Sequence, residues 1–289
     1  MPVMDGLTAI QQIMAFHPTP ILVVTSSSEA EIAYKAIANG ALEVMQKPDM
    51  SAGPAEWAGF ARRVKLLAQV KVITHVRGRG SASTQLLPVM GSDVVRAGSQ
   101  GRILAVGAST GGPAALAKLL AGLPPDLTVG VVVVQHIADG FVPGLVGWLG
   151  TVTMLDVKAA ENGEQIRPGT VYIAPTGAHT VVADNGRLAL LDTPEIDNQR
   201  PAVDALFKSV SQQYHGRALA VLLTGMGRDG AQGLKSIHDA GGRTIAQNEA
   251  SCVVFGMPKA AIELGAAEQV LSLNEIPAAI VKLLRKPVV

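Results

Sequence analysis

The sequence predicts an α/β protein whose main domain is a parallel sheet wound with helices on both faces. Three observations carry this expectation. Short, wholly apolar runs such as Ile103–Val106 and Val129–Val134 have the character of strands buried on both faces. Helical periodicities fall between several of these runs, the alternation that parallel sheets require. Glycine-rich turns follow two of the runs, at Gly107–Gly112 and Thr224–Gly230, where such sheets place their ligands.

Taken in order, residues 1–48 form one compositional unit. Leu7, Ile10, Ile13 and Met14 recur at helical spacing, and Pro18 and Pro20 end that helix. Ile21–Thr25 reads as a buried strand, Glu29–Ala38 as a helix and Ala41–Met45 as a second strand. Two strands make only part of a parallel sheet, so the chain is expected to begin partway through this unit. Trp57, Phe60, Val64 and Leu67 give Trp57–Val72 an amphipathic helical pattern that could pack back on it. Arg77-Gly-Arg-Gly-Ser-Ala-Ser-Thr84 is polar and without period, the composition of a linker. The expected division is therefore 1–75, a linker over 76–100, and a main domain over 101–289.

In the main domain the expected strands are Ile103–Val106, Val129–Val134, Thr170–Ala174, Ala218–Leu223 and Arg243–Ala246. Helices are expected over Pro113–Ala121, Ala202–Tyr214 and Ala231–Ala240. His179–Asp192 alternates around Asp184-Asn-Gly-Arg like a hairpin standing outside the sheet.

Composition narrows the function classes. The 289 residues are 48% hydrophobic and 16% charged, so a large core is within reach and general disorder is not expected. Lys and Arg (24) nearly balance Asp and Glu (23), which leaves no global field favouring nucleic acid or an anionic membrane. Cys252 is the only cysteine, which excludes an intrachain disulfide and a cysteine-based zinc cluster. The start MPVMDGLTAI lacks the pattern of a secretory signal, and the apolar runs are too short to span a membrane. A cytoplasmic protein without membrane insertion is expected.

The chemistry lies at the ends of the apolar runs. Ile103–Val106 leads into Gly107-Ala-Ser109-Thr-Gly-Gly112, Val129–Val134 into Gln135-His136, and Ala218–Leu223 into Thr224-Gly-Met-Gly-Arg-Asp229-Gly230. One strand end offers a hydroxyl, one an imidazole and one a carboxylate. A serine hydroxyl needs a base to accept its proton as it attacks a carbonyl. Histidine suits that task because its pKa lies near working pH, and a carboxylate behind it fixes the tautomer. The glycines allow a sharp turn that exposes Ser109 and leave backbone N–H groups free to stabilise an oxyanion.

Each residue alone has a plainer reading: a phosphate cradle, a structural histidine, an aspartate capping a turn. Asp139 and Asp204 are rivals for the carboxylate. A dinucleotide fold wants Gly-x-Gly-x-x-Gly with an acid about twenty residues on. The Ser109 turn lacks that spacing and the acid, and no Gly-Lys-Ser/Thr follows it. The six histidines, at 17, 75, 136, 179, 215 and 238, show no helical metal-ligand spacing. Apart from His136 they read as surface or packing residues, and Cys252 as a small core residue.

Together these segments resemble the bacterial chemotaxis response-regulator protein-glutamate methylesterases. The resemblance covers nearly all of residues 101–275. It rests on Gly107-Ala-Ser-Thr-Gly-Gly-Pro113, Gln135-His136, Tyr172-Ile-Ala-Pro175, Arg200-Pro-Ala-Val-Asp204, Leu223–Ala231 and Ala246–Pro258. It implies a Rossmann-like catalytic domain in which Ser109 is the nucleophile, His136 the general base and acid, and Asp229 the orienting carboxylate. Met226 and Thr110 would supply the oxyanion hole, and no cofactor or metal is used. The implied substrates are γ-glutamyl methyl esters on chemoreceptor helices, and in many members receptor glutamines as well. A binding module that kept this fold without turnover is the alternative, but its mark, a missing triad member, is not seen.

The first unit resembles the second half of a flavodoxin-like receiver domain. Met1-Pro-Val-Met-Asp-Gly6 looks like the loop after the phosphorylated aspartate, with Thr25 the switch hydroxyl and Lys47 the phosphoryl-contacting lysine. Family members take the phosphoryl group from a histidine kinase. The phosphoacceptor aspartate and the acidic metal-binding pair have no counterpart in this chain, so switching at that site is not expected.

Overall fold

The structure is a computed structural model that describes residues 3–25, 30–48, 53–70, 72, 101–184 and 186–285. Glu29, Asn185 and the expected linker lie outside the described residues.

The first unit runs α1 (Gly6–Phe16), β1 (Leu22–Thr25), α2 (Ala30–Ala38), β2 (Glu43–Gln46) and α3 (Pro54–Leu67). Asp5 starts α1 by accepting the Thr8 N–H at 2.9 Å, and its carboxyl is held below the usual range by Thr8. It is therefore a helix cap. Strands β1 and β2 pair in parallel, Thr25 opposite Gln46. β2 starts two residues later than the apolar run, because Gly40 at φ 111° and Ala41 complete the turn out of α2. Helix α3 stops at Leu67 and not Val72, since Gln69 and Val70 donate to the carbonyls three residues back and tighten the end. Of its expected apolar face only Leu67 is buried, while Trp57 and Val64 remain 42% and 41% exposed.

The remaining chain continues with β3 (Ile103–Ala108), α4 (Gly112–Ala121), β4 (Gly130–Gln135), α5 (Val142–Gly150), β5 (Asp156–Ala159) and β6 (Thr170–Ile173). Then follow β7 (His179–Val182), β8 (Leu188–Leu191), α6 (Val203–Tyr214), β9 (Ala218–Leu222), α7 (Ala231–Asp239), β10 (Arg243–Gln247), α8 (Met257–Glu263), β11 (Gln269–Leu271) and α9 (Ile276–Arg285). Seven strands form one parallel sheet in the order β11-β10-β9-β3-β4-β6-β5. β7 and β8 form the expected antiparallel hairpin outside it.

Alternate residues of the central strand serve opposite faces, as the pleat requires. Leu104, Val106 and Ala108 pack with α4, α5 and α9, whereas Ile103 and Ala105 pack with α6, α7 and α8. Every residue of β3, β4 and β9 is buried, which explains the unbroken apolar runs. The helix after β3 lies on one face and the helix after the adjacent β9 on the other. The crevice between those two strand ends is the switch point of the sheet.

β5, β11, α5, α8 and α9 were not anticipated. β5 and β11 are edge strands of four and three residues, half-exposed and too short to give a pattern. The first unit does not stand apart. Ala33, Tyr34 and Ile37 of α2 belong to the same apolar cluster as α4 and α5, and Tyr34 stacks on Trp148 with ring centroids 5.7 Å apart.

Candidate active site

The carboxyl ends of β3, β4 and β9 bring the three expected groups together. Ala108 and Gln135 are opposite each other in the β3–β4 ladder, and His136 N–H donates to Ala108 O at 3.0 Å. Ser109 and His136 thus leave adjacent strands at the same level. His136 Nε2 lies 2.8 Å from Asp229 Oδ2, and both side chains are almost fully buried. An ionised carboxylate can only accept, so Nε2 carries the hydrogen and Nδ1 is left as the basic nitrogen.

Asp229 is fixed from behind. Its Oδ2 also accepts the Val203 N–H at 2.7 Å, and its Oδ1 the Asp204 N–H at 2.9 Å. These are the first amides of α6, so the carboxylate sits where the helix dipole and unpaired donors favour negative charge. The residue before α6, Ala202, has no side chain that can cap it. Asp229 supplies that cap from another part of the chain.

Neither rival carboxylate takes this place. Asp139 is exposed. Asp204 is buried, but its Oδ1 accepts the Gly233 N–H at 2.7 Å and so caps α7. Burial raises the Asp204 pKa, and the Asp229 charge adds to the rise, against the lowering effect of the Gly233 amide.

The loops are locked by buried amides that the sequence reading passed over. Gln135 Nε2 donates to Ser109 O at 2.9 Å and to His136 O at 2.8 Å, tying the Ser109 loop to the end of β4. Thr224 N–H donates to Gln247 Oε1 at 2.8 Å, and Thr224 Oγ1 donates to Thr110 O at 3.0 Å. Gln135 lay within a quoted motif, but its role needed the register of β3 against β4. Ser109 N–H is committed to Thr224 O at 3.0 Å and Gly225 N–H to Val254 O at 3.0 Å. Among the described residues no acceptor meets the Thr110 or Met226 N–H, nor the buried Thr110 hydroxyl.

These residues line one wall of a cleft of about 780 Å³. Ser109, Gln135, His136, Met226, Arg228 and Asp229 face Tyr34, Glu43, Phe60, Arg62 and Arg63 of the first unit across it. Glu43 is buried, and Arg63 Nε donates to its Oε1 at 2.7 Å. Among the described residues Glu43 Oε2 has no partner in hydrogen-bond geometry. Burial raises the Glu43 pKa, partly offset by Arg63 and by the nearby Thr110 hydroxyl. No pattern in the sequence singled out Glu43, which follows an ordinary turn. The expected switch residues Thr25 and Lys47 also come together, at the ends of β1 and β2, where Lys47 N–H donates to Thr25 O at 2.8 Å. Cys252 is half-buried, its thiol pushed up to about 12 by burial, and so is not a thiolate.

Residues 104–280 match the family model for the CheB methylesterase. A protein-glutamate methylesterase/protein-glutamine glutaminase of Anaeromyxobacter dehalogenans (strain 2CP-C) is 47% identical over 290 residues, covering 99% of this chain and 81% of the relative. The protein-glutamate methylesterase FrzG of Myxococcus xanthus is 41% identical over 283 residues, covering 96% of this chain and 81% of FrzG. The crystal structure of the Thermotoga maritima CheB methylesterase catalytic domain aligns with a TM-score of 0.62 at 42% identity, over 63% of this chain and 98% of that one. The match to the family model and the near full-length relatives agree with the architecture described above: this chain belongs to the CheB methylesterase family.

Proposed function

We propose that this protein hydrolyses γ-glutamyl methyl esters on chemoreceptors, with Ser109, His136 and Asp229 as the reacting constellation. The observation that carries the reading is the His136–Asp229 pair at 2.8 Å, placed level with Ser109 and leaving one imidazole nitrogen basic. His136 Nδ1 takes the Ser109 hydroxyl proton as the oxygen attacks the ester carbonyl carbon. The resulting oxyanion is met by the unused N–H groups of Thr110 and Met226. Collapse expels methanol, which takes the proton from His136, and leaves an acyl-serine. Water, deprotonated by the same nitrogen, then releases the glutamate and restores the serine. Asp229 stays ionised throughout and holds the imidazolium.

The names of several relatives support a second activity on the same groups. A glutamine side chain in place of the ester would release ammonia by identical steps. We further read 1–75 as a partial receiver-like unit with Thr25 and Lys47 as its switch residues, 76–100 as a linker, and 101–289 as the catalytic domain. Its side chains in the cleft make that unit a roof over the site. Work on receptors fits a cytoplasmic protein, and no helix among the described residues is long and apolar enough to cross a membrane.

The test is methanol release from methylated chemoreceptor membranes by the full chain and by Ser109→Ala. Release by the parent and its loss in the variant support the reading. Equal release by both removes Ser109 from the chemistry, and receptor binding without methanol makes this a binding module.

A further inference from the structure

The motif Arg200-Pro-Ala-Val-Asp204 contributes its backbone to the site, and one residue far from the chemistry sets that backbone. His179, the first residue of β7, is 1% exposed. Its Nδ1 accepts the Ala202 N–H at 3.1 Å, and its Nε2 lies 3.0 Å from the Pro194 carbonyl oxygen. A backbone amide only donates and a carbonyl only accepts, so the contacts allow one form of the ring: Nδ1 bare, Nε2 protonated, no net charge.

The amide it receives is the one before the two that hold Asp229. Helix starts leave their first N–H groups without partners. Here those of Ala202, Val203 and Asp204 are shared between two side chains, the first going to His179 and the next two to Asp229. Residues linked so closely along the backbone turn together. Aiming the Ala202 N–H at His179 therefore fixes the direction in which the following amides point.

We infer that His179 is a positioning residue for the reaction, acting through the start of α6 on Asp229 and thence on His136. It touches neither substrate nor nucleophile. The inference rests on the function proposed above.

The two ring nitrogens can be separated by isosteres. The Asn side-chain oxygen reaches where Nδ1 stands, whereas Gln extends to the Nε2 end and leaves the Ala202 N–H unmet. In the full chain His179→Gln should lower kcat for methanol release about tenfold with KM unchanged, the scale typical of groups that orient a reacting residue. His179→Asn should recover most of that loss. In an Asp229→Ala background the Gln variant should cost nothing further, since there is no carboxylate left to aim. Equal losses in the Asn and Gln variants, a rise in KM alone, or an undiminished effect in the Asp229→Ala background would each overturn the inference.

Should either variant fail to fold, nitrogen NMR on the histidine-labelled parent decides independently. A neutral His179 with hydrogen on Nε2 is expected at the pH of activity; hydrogen on Nδ1 refutes the inference. If parent activity survives Ser109→Ala, the proposed function has failed, and this result is distinct from every outcome at His179.

Discussion

The two parallel sheets among the described residues are built from similar residues and differ in what covers them. β3 and β4 are buried along all six residues each, with helices on both faces. β1, four residues long, is half-exposed or exposed throughout, and Val24 keeps 40% of its surface. The contrast extends to the strand ends. Those of the seven-stranded sheet carry buried side chains, Ser109 and the hydrogen-bonded pair of His136 and Asp229, whereas Lys47 at the end of β2 is exposed. A sheet covered on both sides can hold a carboxylate, an imidazole and helix amides in one arrangement, since nothing around them can relax. The first unit contributes a wall to the cleft and lends α2 to the main core.

The strongest test of that contrast is Asp229→Asn, which keeps the size of the side chain and removes its charge. The amide group cannot accept from Val203, Asp204 and His136 together, so His136 loses its anionic partner and its fixed tautomer. We expect kcat to fall by about 10³–10⁴-fold, the scale seen when a triad carboxylate is neutralised. Steady-state methanol release checks this, and a loss below tenfold would remove Asp229 from the orienting role. At Lys47, exposed at the corresponding end of the small sheet, Lys47→Ala should leave basal methanol release unchanged.

A smaller effect separates the two regions by packing. A Cβ at Gly112, the first residue of α4, would stand 2.0 Å from Gln135 Oε1 and 2.9 Å from Ala108 Cβ. Gln135 cannot withdraw without dropping the bonds that tie Ser109 to His136. Gly112→Ala should therefore cost about 1–3 kcal/mol of stability, the usual cost of overpacking, and reduce activity with it. Gly59 in α3 has nothing within 4 Å of such a Cβ. Gly59→Ala should instead stabilise by up to about 1 kcal/mol through helix propensity. Denaturant titration of both variants checks the signs, and a neutral Gly112→Ala would show the Gln135 clamp to be slack.

Much of this was legible in the sequence because burial on both faces writes itself as apolar runs. The strands carrying Ser109, His136 and Asp229 were placed to within two residues, and the switch point followed from the turns after them. Partners set by packing were not legible. Nothing in Val203-Asp204 announces that its amides are capped by an aspartate further along the chain, because backbone donors have no residue type. Nothing marks His179 as the acceptor for the Ala202 amide before them. β5 and β11 were missed because half-exposed edges obey no strict alternation. Glu43 was missed because its burial depends on α3 and the Ser109 loop closing over it from distant parts of the chain.

Glu43 also gives the finest test, at the first unit's wall of the cleft. Its carboxyl is buried beside Arg63, which bonds one oxygen; among the described residues the other has no partner in hydrogen-bond geometry. Burial raises its pKa in the folded state despite Arg63, so the folded protein holds the proton more tightly than the unfolded chain does. Folding is then favoured while Glu43 is protonated, and that contribution is lost as pH rises from the ordinary carboxylate value through the raised one. Glu43→Gln mimics the protonated form at every pH. Its melting temperature should match the parent's in acid and exceed it near neutrality, with the gap opening across that window. Thermal melts of both proteins from roughly pH 4 to 8 read this directly. A variant less stable than the parent at neutral pH would mean that the ion pair with Arg63, which ties β2 to α3 within the first unit, outweighs the cost of burying the charge.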